Sequence, residues 1–593
     1  MDALKFCADP ALLDDIKDDP AKLQALSKEI PSYAVEIKLK LKNLDNSLFS
    51  YWDIIHAIQE YELVYLTSVH ETLSGNNNAL PLIPCTSSYF SFPQSYAKLE
   101  PGLIDVFGTA DQFTIAAVNE EEEKIPYLFI SEEKPARFAN PSLAQTSSIP
   151  TKEQFLERFK IFTNSQLEGW SDWENMVVVG GSVINCLLDI PSEYQDNIAD
   201  YYHNVAYKTS DIDIYCYGLS PPQYSQKLWK FYQFLLQKHQ QKGRKEILVF
   251  KTPHTITFAT EYPDRHIQFV FGKWDTIEHI LFEPDVDCSC FAYQGGADGG
   301  KVITTQRGKF SLNHKTIITA EPRYVVRGFP EYESRLVKYS KRGFVIRDEK
   351  LIWNNISQYY VKFAKRVLKE HQSIQQRLTI CGLRLLVVLH LHKKTLRNTD
   401  IMTLYGGESH PVTEAIIEGT GVPYSPAWTM ERIREAYNRG QLTVSTNYGC
   451  QIQPNTNSFT LLQTIVQANH LFVPYSDLLV SHCNQLQFKK EVQGEGESDN
   501  EYEWRMASSH YWYQYIFMED YQKEVVRMKQ SAKADPGYSY ARIVNFYKRP
   551  EESADDYNRD SFLEVLGIYP EEDEGDEEED GEWEGEEVVD WNI

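Results

Sequence analysis

The stretch Met176-Val-Val-Val-Gly-Gly-Ser-Val-Ile-Asn-Cys-Leu-Leu188 decides how the central part of this chain folds. Its four leading apolar residues predict a buried strand, the glycines predict a tight turn, and the apolar residues after them predict a helix. Glycines let a backbone approach a ligand closely, and a helix N-terminus offers free amides to a phosphate. Ser182 is also a natural helix cap. We therefore predict that Gly180, Gly181 and Ser182 bind phosphate. An ordinary structural turn is the alternative.

A second stretch, Lys208-Thr-Ser-Asp-Ile-Asp-Ile-Tyr-Cys-Tyr-Gly218, alternates polar and apolar residues. Successive side chains of a strand point to opposite faces, so Asp211 and Asp213 share one face while Ile212 and Ile214 point to the core. Two adjacent carboxylates repel each other, and Mg²⁺, which prefers oxygen ligands, relieves that repulsion. The pattern predicts a metal-binding pair, with an edge strand carrying two solvated acids as the alternative.

In combination, the two stretches resemble a known signature. Asp211 follows Ser182 by 29 positions, and this order of turn and acidic strand is similar to that of the DNA polymerase β-like nucleotidyltransferase superfamily. The resemblance implies that the glycine–serine turn holds the triphosphate of an NTP. It also implies that Asp211 and Asp213 bind Mg²⁺ or Mn²⁺. Two such ions can clamp the attacking and leaving oxygens of an in-line phosphoryl displacement.

The resemblance further implies a third carboxylate on a later strand. The stretch Arg265-His-Ile-Gln-Phe-Val-Phe271 is predicted to be a strand, but Gln268 stands where an acid is expected. Asp285 and Asp287 share one face of the next polar stretch, and either is a candidate third carboxylate. The expected catalytic acids are therefore Asp211, Asp213, Asp285 and Asp287, with Asp285 in the metal set. A capped strand start after Pro284 is the alternative.

A basic stripe follows in Tyr332-Glu-Ser-Arg-Leu-Val-Lys-Tyr-Ser-Lys-Arg-Gly-Phe344. In a helix that ends at Gly343, the basic side chains of Arg335, Lys338 and Arg342 would lie on one face. Such a stripe would neutralise a triphosphate and contribute to substrate binding. A solvated face with salt bridges is the alternative.

Several blocks narrow the resemblance to a subfamily of nucleotidyltransferases found in fungal and large-virus proteins, often beside ankyrin repeats. The resemblance covers roughly residues 175–345, and no repeat of that kind is visible here. The blocks are Val179-Gly-Gly-Ser-Val183, Ser210-Asp-Ile-Asp-Ile214, Asp264-Arg-His-Ile-Gln268, Asp285-Val-Asp-Cys-Ser-Cys-Phe-Ala-Tyr293 and the basic stretch 332–344.

Charge is spread unevenly along the chain. Of a net charge of −26, fourteen negative charges fall in residues 571–590, which contain no Lys or Arg; the remainder carries −12. An acidic surface repels polyanions except at local basic patches. The tail itself is predicted to be disordered because like charges repel and little apolar surface offsets the entropy of ordering. It is a candidate binding site for basic partners.

The pattern of apolar residues and cysteines bears on the compartment. We expect no membrane span, because no run of about 18 apolar residues occurs, and the first residues lack the pattern of a secretory signal. The nine scattered cysteines are typical of free thiols in a reducing compartment. These features favour a cytoplasmic or nuclear protein, with a virion as a further possibility.

Alternating strand and helix patterns predict an α+β (mixed) protein. The expected organisation is a mixed N-terminal region (1–150), a polymerase β-like nucleotidyltransferase core (151–347), a mainly helical domain (348–490), a C-terminal helical region (491–570) and the acidic tail (571–593). The apolar stretch Leu378–Leu391 predicts a buried helix.

The expected function is metal-dependent transfer of a nucleotidyl group from an NTP to a hydroxyl acceptor on an RNA end, a small molecule or a protein. The alternative, motivated by Gln268, is a catalytically degenerate nucleotidyltransferase fold that acts as a scaffold, a viral structural protein or an interaction module.

Overall fold

The structure is a computed structural model, and the chain divides into two compact units. The first comprises Met1–Glu123, Ala136–Ile318 and Ser409–Lys490, and the second Lys124–Pro135, Thr319–Glu408 and Glu491–Ile593. The residues that the structure describes are 52, 55, 59, 62, 103–131, 134–244, 247–251, 255–319, 331–356, 361–362, 364–365, 368, 380–392, 422, 424–439 and 451–452. The predicted regions 491–570 and 571–593, and most of 1–150 and 348–490, lie outside these residues.

The described α-helices are α1 (Glu120–Lys124), α2 (Ala136–Ala139), α3 (Lys152–Phe162), α4 (Gly181–Leu187), α5 (Ile198–Asp200), α6 (Pro221–Gln241), α7 (Ile277–Phe282), α8 (Gln306–His314), α9 (Glu331–Ser340), α10 (Gly382–Leu391) and α11 (Met430–Asn438). The strands are β1 (Leu103–Asp105), β2 (Met176–Val179), β3 (Ile212–Tyr217), β4 (Leu248–Lys251), β5 (Thr255–Ala259), β6 (Ile267–Trp274), β7 (Phe291–Gln294), β8 (Lys301–Thr305), β9 (Thr316–Ile318), β10 (Val345–Arg347) and β11 (Gln451–Ile452).

A nine-stranded mixed sheet forms the framework of the first unit. Its strand order is β1-β8-β7-β2-β3-β6-β5-β4-β11. The pair β3–β6 is parallel, which requires a long crossover, and α6 with β4 and β5 lies between these strands in sequence. Helices and a mixed sheet together confirm the predicted α+β class.

One face of the sheet is covered by helices. Helix α6 begins with a capping box between Ser220 and Gln223 and a proline at its first turn, which are both strong helix-start signals. Its buried Phe231 packs edge-on against Phe269 of β6, with ring centroids 5.0 Å apart. Burying an aromatic ring of this size contributes a large share of the hydrophobic stabilisation.

The opposite face carries two separate apolar clusters. At the β7–β8 side, Val179 and Ala292 pack with the apolar residues of α7. At the β4–β5 side, Leu248 and Ala259 pack with Ile433 and its neighbours of α11. The polar residues of β3, β6 and β5 lie on the sheet between these clusters, which positions the candidate site.

The second unit contains α9, β10 and α10 among its described elements. Helix α10 is buried from Gly382 to Leu389, which confirms the predicted buried helix. Its first residue, Gly382, donates its backbone N–H to the buried carboxylate of Glu333 at 2.7 Å. None of the helices that the structure describes is long and apolar enough to cross a membrane.

Candidate functional site

The glycine–serine turn connects β2 to α4 as predicted. All four residues of β2 are buried, and Gly180 follows with φ 78° and ψ −130°, a conformation that other residues avoid. The cap of α4 is Gly180, with no side-chain capping bond, so the prediction that Ser182 caps the helix was wrong. Ser182 lies in the first turn, 2% exposed, and its Oγ has no hydrogen-bond partner within the described part of the chain.

The acidic pair lies on one face of β3, as its spacing predicted. Ile212, Ile214 and Cys216 are buried, whereas Asp211 and Asp213 are half-buried. Asp213 is the direct neighbour of Val179 in the antiparallel β2–β3 pair. Because Gly180 follows Val179, the fold brings the glycine–serine turn and the acidic pair together at one end of β2.

Gln268 occupies the position beside the acidic pair on the other neighbouring strand. It is the register partner of Asp213 in the parallel β3–β6 pair, and Thr257 of β5 is in turn the partner of Gln268. Side chains directly opposite each other in a sheet lie on the same face. A neutral amide therefore stands next to Asp213, where the resemblance implied a carboxylate.

The two other predicted acids have a different environment. Asp287 lies in a short 3-10 helix, Asp287–Ser289, and is buried. Its carboxylate accepts from Arg307 at 3.0 Å and from the backbone N–H of Ile318 at 2.7 Å. Arg307 also binds Glu62 at 2.7 Å. Asp285 is fully buried as well. These contacts give Asp287 a structural role, and its catalytic role stays a prediction.

No three His, Cys, Asp or Glu residues in the described part of the chain are grouped closely enough to hold a metal ion. The membership of Asp285 in a metal set with Asp211 and Asp213 stays a prediction. The neighbouring Asp287 is tied to Arg307 in the interior, as is the backbone carbonyl of Pro284. Two half-buried carboxylates at Asp211 and Asp213 still fit the oxygen ligands that a divalent cation prefers.

Arg265 is a residue of this region whose importance the sequence did not reveal. Its buried guanidinium donates to the backbone carbonyls of Phe162 and Tyr202 at 2.8 Å each, and to those of Tyr207 and Ser210 at 2.7 Å each. Ser210 immediately precedes Asp211. The guanidinium thus fixes the chain segment that leads into the acidic pair, and only its place in a resembling block singled it out.

The neighbouring Asp264 is also fully buried and fully engaged. Its carboxylate accepts from Lys242 at 2.7 Å and from Asn164 at 2.6 Å, and it pairs closely with Arg244. His239 lies 3.5 Å away. Burial lowers the pKa of His239 to about 4 despite the attraction of Asp264, so its imidazole is neutral at pH 7.

The tyrosine-rich segment between the two motifs is packed rather than open. Tyr202 and Tyr207 are buried, and Tyr202 meets Phe162 edge-on with ring centroids 5.4 Å apart. Tyr194 and Tyr201 are partly exposed, and their ring centroids lie 5.2 Å apart. The segment therefore forms part of the core beside Arg265, with one aromatic pair at the surface.

The predicted basic stripe belongs to the second unit. Arg335 and Lys338 lie on α9, which ends at Ser340, and Gly343 adopts φ 97°. All three basic residues are half-buried, and the Arg342 guanidinium lies 5.0 Å from the centre of the Tyr339 ring. Binding of phosphate by Arg335, Lys338 and Arg342 stays a prediction.

Comparison with known proteins places the central segment beside one family. The family model described as Gad2, Gabija anti-defense 2 family protein, matches residues 152–315. This match spans the turn, the acidic pair, Gln268 and Asp285. The chain is also similar to the uncharacterized protein R883 of Acanthamoeba polyphaga mimivirus, with 23% identity over 237 residues. That alignment covers 38% of this chain and 46%, less than half, of the relative.

Solved structures of CCA-adding enzymes show a distant similarity. A complex of a CCA-adding enzyme with CTP has a TM-score of 0.23 and 13% identity, covering 72% of this chain and 84% of the enzyme. The Thermotoga maritima CCA-adding enzyme complexed with tRNA has a TM-score of 0.23 and 14% identity, with coverages of 70% and 78%. At these TM-scores the likeness carries no conclusion about activity.

Proposed function

We propose that the first unit is a metal-dependent nucleotidyltransferase that moves a nucleotidyl group from an NTP to a hydroxyl acceptor. The observation that carries this proposal is the register of β2 against β3. Val179 pairs with Asp213, and Gly180 follows Val179, so the turn proposed to bind phosphate and the pair proposed to bind a cation lie at the same end of β2. The match to the Gad2 family and the resemblance of the blocks are consistent with such a site.

Each residue of this site has a defined task in the proposal. Asp211 and Asp213 hold Mg²⁺ or Mn²⁺, which would supply charge neutralisation and orientation of the phosphates. The backbone N–H groups of Gly180 and Gly181 donate to phosphate oxygens, as does the Ser182 hydroxyl, which has no partner among the described residues. The acceptor is a hydroxyl of an RNA end, a small molecule or a protein.

The test is Mg²⁺-dependent release of pyrophosphate from each labelled NTP, with RNA, small molecules and the protein itself as acceptors. We expect release by the wild type and a loss of at least about 10³-fold in the variant Asp211→Asn/Asp213→Asn, because metal binding positions the reacting phosphate. Asp196→Asn, an exposed acid in the segment before the strand, is the matched control. Undiminished release by the double variant would exclude the assigned site.

A second candidate is interference with a defence system through binding alone. Two observations favour it: residues 152–315 match a family whose description names Gabija anti-defense, and Gln268 stands beside Asp213. In cells that carry the Gabija system, virus yield should rise when the wild-type protein is expressed. If Asp211→Asn/Asp213→Asn raises the yield equally, binding suffices; if that variant is inert, the site itself acts.

A further inference from the structure

A row of register partners, polar from its second member onward, crosses the sheet next to the glycine–serine turn. Val179, Asp213, Gln268 and Thr257 are successive register partners on β2, β3, β6 and β5. Neighbouring strands lie roughly 4.8 Å apart, and partners across strands share a face. The row therefore extends from the glycine–serine turn through one carboxylate to a neutral amide and a hydroxyl.

The inner half of this row carries two polar groups without partners. Gln268 is 5% exposed and Thr257 is 1% exposed. Among the residues that the structure describes, the Nε2 atom of Gln268 and the Oγ1 atom of Thr257 have no hydrogen-bond partner. Buried polar groups are normally paired, because an unmade hydrogen bond costs free energy. Two such groups side by side, next to the half-buried Asp213, indicate a place for a ligand group.

The chemistry of the row selects that group. A carboxylate only accepts hydrogen bonds, whereas an amide NH₂ only donates them. A hydroxyl between Asp213 and Gln268 satisfies both, since it donates to the first and accepts from the second. A phosphate or carbonyl oxygen can accept from the Gln268 amide but has no proton to donate to Asp213. An ammonium group would leave the Gln268 amide unpaired.

The order along the row indicates which hydroxyl is bound. In the proposed function, the phosphates of a nucleotide lie over the turn at the end of β2. The sugar is attached to those phosphates and would lie one or two strands further, over β3 and β6. We propose that Gln268, with Thr257, forms a subsite that binds a ribose hydroxyl of the nucleotide beside Asp213. This subsite rests on the proposed function and assigns its substrate class as ribonucleotides.

The experiment is calorimetric binding of the four ribonucleoside triphosphates and of their 2′-deoxy and 3′-deoxy forms to the full chain, with Mg²⁺ present. For the wild type, removal of one of the two hydroxyls should weaken binding about tenfold, which corresponds to one lost hydrogen bond. Gln268→Met and Thr257→Val, which keep side-chain size, should bind ribo and deoxy forms almost equally. Gln233→Met, on the exposed side of α6, should retain the wild-type preference.

The outcomes separate two failures. If no nucleotide binds to the folded wild type, the proposed function fails and this subsite fails with it. If nucleotides bind but the ribo and deoxy forms do so equally, only the subsite is overturned. The same holds if both Gln268→Met and Thr257→Val keep the preference. Circular dichroism checks folding, and Thr257→Val carries the test if Gln268→Met does not fold.

Discussion

Two polar regions of the first unit differ in how their hydrogen bonds are used. Around Asp264 and Arg265, the buried charged groups have hydrogen-bond partners. The Arg265 guanidinium donates to four backbone carbonyls. The Asp264 carboxylate accepts from two cationic side chains and one amide. In the row from Asp213 to Thr257, the Gln268 amide nitrogen and the Thr257 hydroxyl have no hydrogen-bond partner among the described residues. Buried polar groups that have hydrogen-bond partners stabilise the fold. Buried polar groups that lack them, beside the half-buried Asp213 carboxylate, are suited to binding a ligand.

The largest effect on stability is expected at Arg265. Arg265→Met leaves four buried carbonyls without their donor, and breaking a buried charged network typically costs about 3–5 kcal/mol. Urea unfolding followed by tryptophan fluorescence should show this loss in the free energy of unfolding. Arg439→Met, an exposed arginine of the segment after α11, is the control. A loss at Arg265 no greater than that of the control would contradict the structural role.

A comparison of two acids sharpens the same contrast. Asp287→Asn breaks the buried pair with Arg307 and should lower the free energy of unfolding by about 3 kcal/mol. Asp213→Asn should lower it by less when no divalent ion is present, because the mutation also removes like-charge repulsion with Asp211. Equal losses in both variants would mean that Asp213 is structural too.

Acidification probes the Asp264 region through His239. Burial lowers the pKa of this imidazole to about 4 in the folded chain, whereas its unfolded value is near 6.5, so the unfolded state binds the proton between these values. Stability is then full above pH 6.5 and falls as the pH drops towards 4, by about 1.4 kcal/mol per pH unit for one such group. His239→Gln should reduce that slope in urea unfolding; an unchanged slope would refute the assignment.

The smallest change tests the row of unmatched groups. Gln268→Glu would place a third carboxylate beside Asp213 and should raise the affinity for Mn²⁺ about tenfold, since added negative ligands favour a divalent cation. The same variant should lose its preference for ribonucleotides. Titration with Mn²⁺ by electron paramagnetic resonance gives the affinity, and Gln233→Glu controls for net charge. No gain in affinity would mean that residue 268 does not face the cation site.

Short-range patterns predicted several local features well. The strand–turn–helix over 176–188 and the shared face of Asp211 and Asp213 follow from apolar runs and a period of two. The helix before Gly343 follows from spacing and a glycine that tolerates positive φ. The capping role of Ser182 was wrong because the turn needs a glycine with φ 78° at the cap position, and spacing alone does not reveal backbone angles.

The grouping of the acids depended on contacts that are distant in sequence. The alternation of side chains along an extended segment predicted that Asp285 and Asp287 share one face. It carried no information about Arg307, which lies 20 residues after Asp287 and binds it in the interior. Likewise, Arg265 looks like an ordinary residue before a strand. Its four acceptors come from segments 55 to 103 residues away, and no local pattern specifies them.

The sequence by itself determined the α+β class, the glycine–serine turn and the face on which Asp211 and Asp213 lie, because these depend on residues a few positions apart. Only the tertiary structure decided that Gln268 and Thr257 stand in line with Asp213, and that Asp287 belongs to Arg307. Strand order and register are set by packing of the whole sheet between its helices. They join residues that are far apart in the chain, and no local spacing encodes them.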